Sequence, residues 1–219
     1  MKPFTKSPIF LVLLAFAASA FAADGSSLKP PAGARVAVVV FEDLECPSCA
    51  AAYPKVWDTA NAYHIPVMLR DFPLGPKHPW SMEAAVWARF FDERSQKLGD
   101  DFRGYIFKNQ NSINPGNLRN YVDRFASDNH IPVPFNWDPG DKLKAKVVAD
   151  HDFGQRIGIN ETPTIFVVSN NEWRQIQQID QLNSTIDELQ KKAGPVATPV
   201  KNPATKKSAK KKKAATSSQ

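Results

Sequence analysis

The stretch VVVFEDLECPSCAAAYP, residues 38–54, leads from an apolar run into the only two cysteines of the chain, Cys46 and Cys49. The run RVAVVVF at residues 35–41 is β-branched and lacks polar alternation, which is typical of a strand buried on both faces of a sheet. The Ala-rich segment that begins at Pro47 favours a helix, because proline is tolerated at the first helical position. The stretch therefore predicts a strand, a short acidic turn and a helix with the cysteines at its N-terminus.

Further strands and helices follow along the chain. IPVMLRDFPL (residues 65–74) predicts a second strand, which completes a βαβ unit with parallel strands. Apolar side chains at helical spacing predict several helices between about residues 80 and 153, the first over 80–98, and their aromatic residues are interpreted as core. TPTIFVVS (residues 162–169) predicts a strand that forms a hairpin with the segment around 173–178, and a last helix covers 180–192. This order predicts an α/β protein.

The N-terminal sequence predicts export. Lys2 and Lys6 precede an apolar run at residues 9–18, and small residues follow up to Ala22. This is the pattern of a secretory signal peptide over residues 1–22, and its apolar run is too short for a membrane anchor. We therefore expect the protein in the periplasm or cell envelope of a bacterium, where a cysteine pair can keep a disulfide.

The C-terminal sequence, residues 194–219, predicts a disordered tail because it lacks the apolar side chains that offset the entropy of folding. The chain has 28 Lys and Arg against 22 Asp and Glu, but without the lysines of the two ends the body has a net charge of about −3, so nucleic-acid binding is not expected. The tail is either a contact for an anionic envelope surface or a solvated segment without a partner. Its lysines are Lys201, Lys206, Lys207, Lys210, Lys211, Lys212 and Lys213.

The cysteine pair has three possible uses. A structural zinc site needs four nitrogen or sulfur ligands, and this chain offers one C-x-x-C with four scattered histidines, so no metal is expected. A purely structural disulfide over so short a loop restrains the unfolded chain little. A redox use meets its physical demands, because side chains at positions i and i+3 of a first helical turn lie on one face.

In the redox interpretation the two thiols differ. Cys46 faces the unpaired N–H groups of Ser48 and Cys49 and the positive end of the helix dipole, which lower a thiol pKa. We expect Cys46 to attack in a mixed disulfide and the less exposed Cys49 to release it. The step from Thr162 to Pro163 at the start of a strand fits a cis proline, with a trans proline as the alternative, and leaves the preceding backbone free for an extended substrate.

Taken together, the buried strand, the acidic turn, C-P-S-C, RDFPLGPKHPWS and TPTIFVV resemble the DsbA-like branch of the thioredoxin superfamily over residues 35–192. The resemblance implies a thioredoxin-like fold, a central mixed sheet of four or five strands flanked by helices, with a helical domain inserted at about 79–153. It implies that Cys46 is the nucleophile, Cys49 the resolving cysteine, and Thr162 and Pro163 the loop that faces them. One domain would then span residues 35–193 after an N-terminal linker at 23–34.

Two positions depart from the family pattern. The best-known oxidases carry His before the second cysteine, whereas Ser48 offers only a hydroxyl. We expect Pro47 and Ser48 to tune the reduction potential of the Cys46–Cys49 couple. Some members bury a carboxylate six residues before the nucleophile, and Val40 stands there. A proton relay could fall to Asp43, Glu45 or Glu42, or these acids could be exposed and offset the helix dipole. His78 could reach the rim of the site or lie on the surface.

The sequence thus predicts an exported thiol–disulfide oxidoreductase, most simply a dithiol oxidase, that needs no cofactor besides the Cys46–Cys49 disulfide. Its partners would be unfolded or extended protein segments and a redox protein that recycles the pair. A disulfide isomerase or reductase of the same fold is one alternative. A non-catalytic envelope protein that binds peptides and keeps a vestigial disulfide is the other.

Overall fold

The computed structural model describes residues 23–194, and its centre is a four-stranded sheet in the order β2-β1-β3-β4. The strands are β1 (Val36–Glu42), β2 (Val67–Asp71), β3 (Thr164–Ser169) and β4 (Trp173–Ile176). Strand β1 pairs parallel with β2 and antiparallel with β3, and β3 and β4 form an antiparallel hairpin. The mixed sheet, flanked by helices, confirms the predicted thioredoxin-like α/β fold.

Strand β1 is the centre of the core, and all seven of its residues are buried. Val38 and Val40 pack with the helices on one face, while Val39 and Phe41 pack in a second apolar cluster on the other. This double burial is the reason for the unbroken apolar run. The strand also extends one residue beyond its predicted end, so Glu42 belongs to the strand and not to the turn.

Within residues 23–194 six α-helices surround the sheet: α1 (Pro47–Tyr63), α2 (Ser81–Asp92), α3 (Gln96–Asn109), α4 (Leu118–Asp128), α5 (Lys142–Arg156) and α6 (Leu182–Ala193). Helices α2 to α5 lie between β2 and β3 in the chain. The single helix predicted over 80–98 is wrong, because the chain ends α2 and restarts at Ser95. The hydroxyl of Ser95 accepts a hydrogen bond from the N–H of Leu98 at 3.1 Å and so caps α3.

An aromatic cluster packs between the inserted helices α2, α3 and α4. The Phe91 ring lies 4.7 Å from that of Phe102 and 4.9 Å from that of Phe125, measured between ring centroids. The same continuous cluster contains Cys46 and Cys49. The inserted helices therefore form one wall of the region around the cysteines.

Residues 23–34, expected to be a linker, pack onto the domain. Ala23 and Leu28 are buried in the apolar cluster that contains Phe41, and the N–H of Asp24 donates to the carbonyl of Ile157 at 2.7 Å. No helix within residues 23–194 combines the length and apolar character needed to cross a bilayer. The predicted signal peptide and the lysine-rich segment after Gly194 lie outside the described residues and stay predictions.

Candidate active site

Cys46 occupies the N-cap position of α1. Its backbone is extended (φ −81°, ψ 120°), and Pro47 occupies the first position of the helix. The Cys46 thiol donates to the carbonyl oxygen of Thr162 at 3.2 Å. The helix start and the loop before β3 thus meet at this sulfur.

The surroundings of Cys46 favour its thiolate. A hydrogen bond from the Cys49 side chain has the largest effect, and with the Thr162 side chain and the backbone N–H groups of Cys49 and Ser48 it lowers the pKa of Cys46 to about 5, in spite of burial. Unpaired N–H groups at a helix N-terminus stabilise an anion in this way. Cys46 is therefore predominantly thiolate at neutral pH.

Cys49 lies one turn into α1 and keeps only 3% of its surface exposed. Burial raises the pKa of the Cys49 thiol far above its usual range, and the hydrogen bond to Cys46 adds to that shift. The N–H of Asp43 donates to its sulfur at 3.5 Å. Both cysteines are free thiols in this structure, and only Cys46 is activated.

The Thr162–Pro163 peptide bond is cis. Pro163 borders a small cavity of about 10 Å³ together with Cys49, Val40, Glu42 and other side chains. Residues from β1, α1 and the loop before β3 therefore converge on the cysteine pair, although Pro163 lies more than a hundred positions after Cys49 in the chain.

Glu42 is the site residue whose burial the sequence interpretation missed. Its side chain is 3% exposed and lines the cavity beside Cys49. Burial raises its pKa to about 8, while the Arg103 guanidinium opposes this shift. Val40 precedes it by one strand period, so the two side chains lie on the same face of β1. Because side chains alternate between the two faces of a strand, the two-residue spacing from Val40 is the signal that could have revealed a buried carboxylate here.

A model of the thioredoxin family matches residues 31–188, which is most of the chain. The chain belongs to the thioredoxin family. Within this family its fold is similar to that of solved DsbA-type proteins. Alpha-DsbA1 of Wolbachia pipientis is 22% identical with a TM-score of 0.61, over 76% of this chain and 90% of that one. BdbD of Bacillus subtilis is 19% identical with a TM-score of 0.59, over 75% and 91%.

Two curated relatives are longer proteins, and both are named as antiporters. The Na⁺/H⁺ antiporters NhaA 1 of Salinispora arenicola and NhaA 3 of Salinispora tropica are each 27% identical over 66% of this chain. The match covers only 22% of each antiporter, so the chain spans about a fifth of their length. Ion transport is therefore a property named for those longer proteins.

The other predicted acids of this thioredoxin-family site, Asp43 and Glu45, accept hydrogen bonds from the loop after β2. Asp43 is 1% exposed and accepts hydrogen bonds from the N–H of Leu74 at 2.7 Å and from the Nδ1 of His78 at 2.8 Å. Glu45 accepts from the N–H of Trp80 at 2.8 Å. The interpretation of these acids as exposed groups that offset the helix dipole is wrong for Asp43, because the loop after β2 covers it. His78 pairs with Asp43 and is only partly exposed.

Pro47 and Ser48, between the cysteines, are exposed. Ser48 lies at the edge of an open groove of about 310 Å³ that Pro163 and Ile176 also line. The groove starts beside the cysteine pair and reaches the edge strand β4. Within residues 23–194 no group of three or more His, Cys, Asp or Glu is arranged to hold a metal ion.

Proposed function

We propose that the protein is a thiol–disulfide oxidoreductase and that it acts as a dithiol oxidase on other proteins. The observation that carries this proposal is the asymmetric pair: an activated Cys46 at a helix N-terminus, 3.2 Å from the Thr162 carbonyl, beside a buried and protonated Cys49. A structural disulfide needs no such difference in thiol pKa. Catalysis of thiol exchange needs this difference, because one thiol must attack as a thiolate.

The proposed reaction begins with the oxidised pair. A substrate thiolate attacks the sulfur of Cys46, the Cys46–Cys49 bond breaks, and its electron pair goes to Cys49, which takes up a proton. A second substrate thiolate then attacks the substrate sulfur of the mixed disulfide, and Cys46 leaves as a thiolate. The substrate loses two electrons and the cysteine pair gains them. A disulfide-bearing redox partner must then accept these electrons to restore the pair.

The direction of electron flow follows from the state of Cys46. A pKa of about 5 stabilises the reduced pair at neutral pH, which makes the oxidised pair a stronger oxidant. Ser48 adds only an exposed hydroxyl in the position where the best-known oxidases carry His, so we expect a couple less oxidising than theirs. The low pKa of Cys46 supports oxidation over isomerisation or reduction, while Ser48 limits how oxidising the couple is.

The substrate class follows from the groove. Its apolar lining from Ala51, Ala52, Ile165, Ile176 and Ile179 suits an extended segment with apolar side chains, as unfolded proteins expose. The substrate would lie along the loop at Pro163, with its cysteine at Cys46. This supports unfolded or extended proteins as substrates.

A direct assay tests the proposed function. The oxidised protein, mixed with an unstructured peptide that carries two thiols, is expected to oxidise the peptide at pH 7 much faster than glutathione disulfide at the same concentration. The control is the reduced protein alkylated at Cys46, which keeps the groove but cannot form the Cys46–Cys49 disulfide. Peptide that binds without any loss of thiols would leave only the peptide-binding alternative.

The proposed setting is a bacterial envelope. It is supported by the signal-like pattern of residues 1–22 and by the chemistry, which needs an oxidising compartment. Expression of the full chain in a bacterium should yield a mature protein that starts at Ala23 in the envelope fraction. An unprocessed chain in the cytoplasm would contradict this setting.

A further inference from the structure

An open cavity lies in the helical insertion, between the start of α2 and the loop that joins α4 to α5. Its volume is about 450 Å³. Its apolar lining comes from Pro79, Met82, Val86 and Trp137. It shares no lining residue with the groove beside Ser48. This insertion cavity is therefore a second surface, which the proposed reaction does not use.

The loop beside the insertion cavity is restrained at several points. Residues 131–141 read IPVPFNWDPGD, and each of their three prolines fixes a backbone angle. Trp137 stacks on the buried Trp87 of α2, with the ring centroids 3.5 Å apart. The carboxylate of Asp138 accepts hydrogen bonds from two N–H groups at the start of α5, at 2.8 and 3.1 Å. The loop is thus fixed to α2 at one point and to α5 at another.

Phe135 lies on this restrained loop, and its side chain is fully exposed. One exposed apolar residue is ordinary on a protein surface. Phe135, however, also lines the insertion cavity, so its ring continues the apolar lining. Aromatic side chains often act as anchors of binding interfaces, and a loop that is already restrained loses little entropy when it binds. Phe135 therefore has the properties of a preformed binding residue.

The rim of the insertion cavity is mainly anionic. The carboxylates of Glu83, Asp138 and Asp141 line it, against the ammonium group of Lys144. The body of the chain also has a net charge of about −3. Such a surface attracts a partner of opposite charge, whereas a second copy of this chain would bring the same carboxylates. The rim therefore favours a cationic partner.

The lining and the rim together fit a Lys or Arg side chain. Such a side chain has an apolar stem that packs on apolar surface and a charged head that stays in water. The stem would contact Met82 and Val86, and the head would lie between the Phe135 ring and the carboxylates of Glu83 and Asp141. A cation over the face of an aromatic ring is attracted by the ring quadrupole.

The insertion cavity lies close to the nucleophile. Pro79 at its edge precedes Trp80, whose N–H donates to the carboxylate of Glu45 at 2.8 Å. Glu45 is the residue before Cys46, and Trp80 is buried in the same apolar cluster as Cys46. Because an extended chain advances about 3.3 Å per residue, a segment of several residues can connect the two places.

We propose that the insertion cavity is a docking site for a Lys or Arg side chain of an extended protein segment whose cysteine reacts with Cys46. Phe135, Glu83 and Asp141 are the residues that determine this preference. The proposal rests on the proposed function. It narrows the substrates to segments in which a basic residue lies several positions from the cysteine.

The first test measures binding without any thiol chemistry. The probes are two extended peptides without cysteine, one with an arginine between apolar residues and one with glutamine in the same position. Their Kd for the full chain is measured by NMR titration, with the indole signal of Trp137 as the reporter. We expect the arginine peptide to bind about fivefold more tightly and to shift the Trp137 signal. Added salt should reduce this preference.

Variants at exposed positions assign the preference to the insertion cavity. Phe135→Ser removes the ring and Glu83→Gln removes one charge, and each should lower the preference for arginine about twofold or more. The matched control is Asp58→Asn, which removes an exposed carboxylate of α1 outside the cavity and should keep the full preference. Equal binding of the two peptides by wild type, or an undiminished preference in Phe135→Ser, overturns the proposal. If Phe135→Ser does not fold, Glu83→Gln decides by the same criterion.

The lysine-rich segment of residues 201–213 is the competing occupant from this chain. A full chain with the seven lysines of this segment changed to Gln tests for it. A preference for the arginine peptide that appears only in that variant would show that the chain's own segment fills the cavity. That result overturns the proposal for substrates.

The second test adds the thiols. Versions of the same two peptides that each carry a pair of cysteines are incubated with the oxidised protein, and KM is measured for both. The KM of the arginine peptide should be about fivefold lower. Equal KM values with active thiol exchange would overturn the docking site and retain the proposed function. A binding preference without any thiol exchange would retain the docking site and reject the proposed function, so the two failures are distinct.

Discussion

Cys49→Ser is expected to turn the protein into a trap for its substrates. Reduced Cys46 still attacks a substrate disulfide at neutral pH, because the backbone N–H groups at the start of α1 still lower its pKa and the serine hydroxyl can replace the Cys49 hydrogen bond. No second thiol is then present to release the mixed disulfide. The adduct should accumulate to nearly one per molecule, and multiple turnover should fall to the uncatalysed rate. Mass spectrometry of the variant after incubation with a disulfide-linked peptide measures the adduct directly.

Cys46→Ser is the matched control for this trap. It leaves Cys49, whose thiol is buried and whose pKa is raised far above its usual range, so it stays protonated at neutral pH. We expect almost no adduct from this variant under the same conditions. Equal adduct formation by the two variants, or more by Cys46→Ser, would contradict the assignment of nucleophile and resolving cysteine.

The reduced protein is expected to gain stability from Cys46 as the pH rises. The pKa of Cys46 is about 5 in the folded protein against an ordinary value of 9.0. A folded pKa below the unfolded one contributes stability that is complete above the unfolded value and is lost as the pH falls to the folded value. Between these values the contribution changes by about 1.4 kcal/mol per pH unit, and at pH 7 it amounts to about 2–3 kcal/mol.

Glu42 acts in the opposite sense over the same pH range. Its pKa is raised from 4.5 to about 8, so its contribution is complete below 4.5 and is lost as the pH rises toward 8. The total stability of the reduced protein can therefore change little with pH. The effect of Cys46 appears only as a difference between two proteins that both retain Glu42.

The comparison that isolates Cys46 is between reduced wild type and reduced Cys46→Ala. Denaturant unfolding at pH 5, 6, 7 and 8 gives the free energy of unfolding of each protein. The difference in favour of wild type should grow by about 2 kcal/mol between pH 5 and pH 7. Loss of packing at position 46 adds an offset that does not depend on pH. A difference that stays constant with pH would contradict an activated Cys46.

The sequence predicted the fold because its main elements have strong local patterns. The run around Val38 has the pattern of a doubly buried strand, and Pro47 marked the helix start. The division between α2 and α3 was missed because Ser95 is a single capping hydroxyl inside a long helical pattern. The burial of Ala23 and Leu28 was missed because a short segment without periodicity shows no preference between a linker and a packed strap.

The site was predicted in part. The sequence identified the segments that approach Cys46, since C-x-x-C and the Thr162–Pro163 step are local motifs. The burial of Glu42 was missed, because the side-chain alternation of β1 applies to Glu42 only if the strand extends to that residue and α1 and α3 cover it. The sequence could not show that Arg103 is buried near Glu42 either. An arginine in a helix looks like a surface residue until its carboxylate partners from other elements are known.

The titration of the Cys46 thiol tests the central claim most directly. The ultraviolet absorbance of the thiolate in the reduced protein, with Cys46→Ser as the blank, gives the pKa of Cys46 alone. The structure predicts a midpoint near pH 5, set by the Cys49 hydrogen bond, the Thr162 side chain and the N–H groups at the start of α1. A midpoint near 9.0, the ordinary value, would show that Cys46 is not activated and would contradict a redox-active pair.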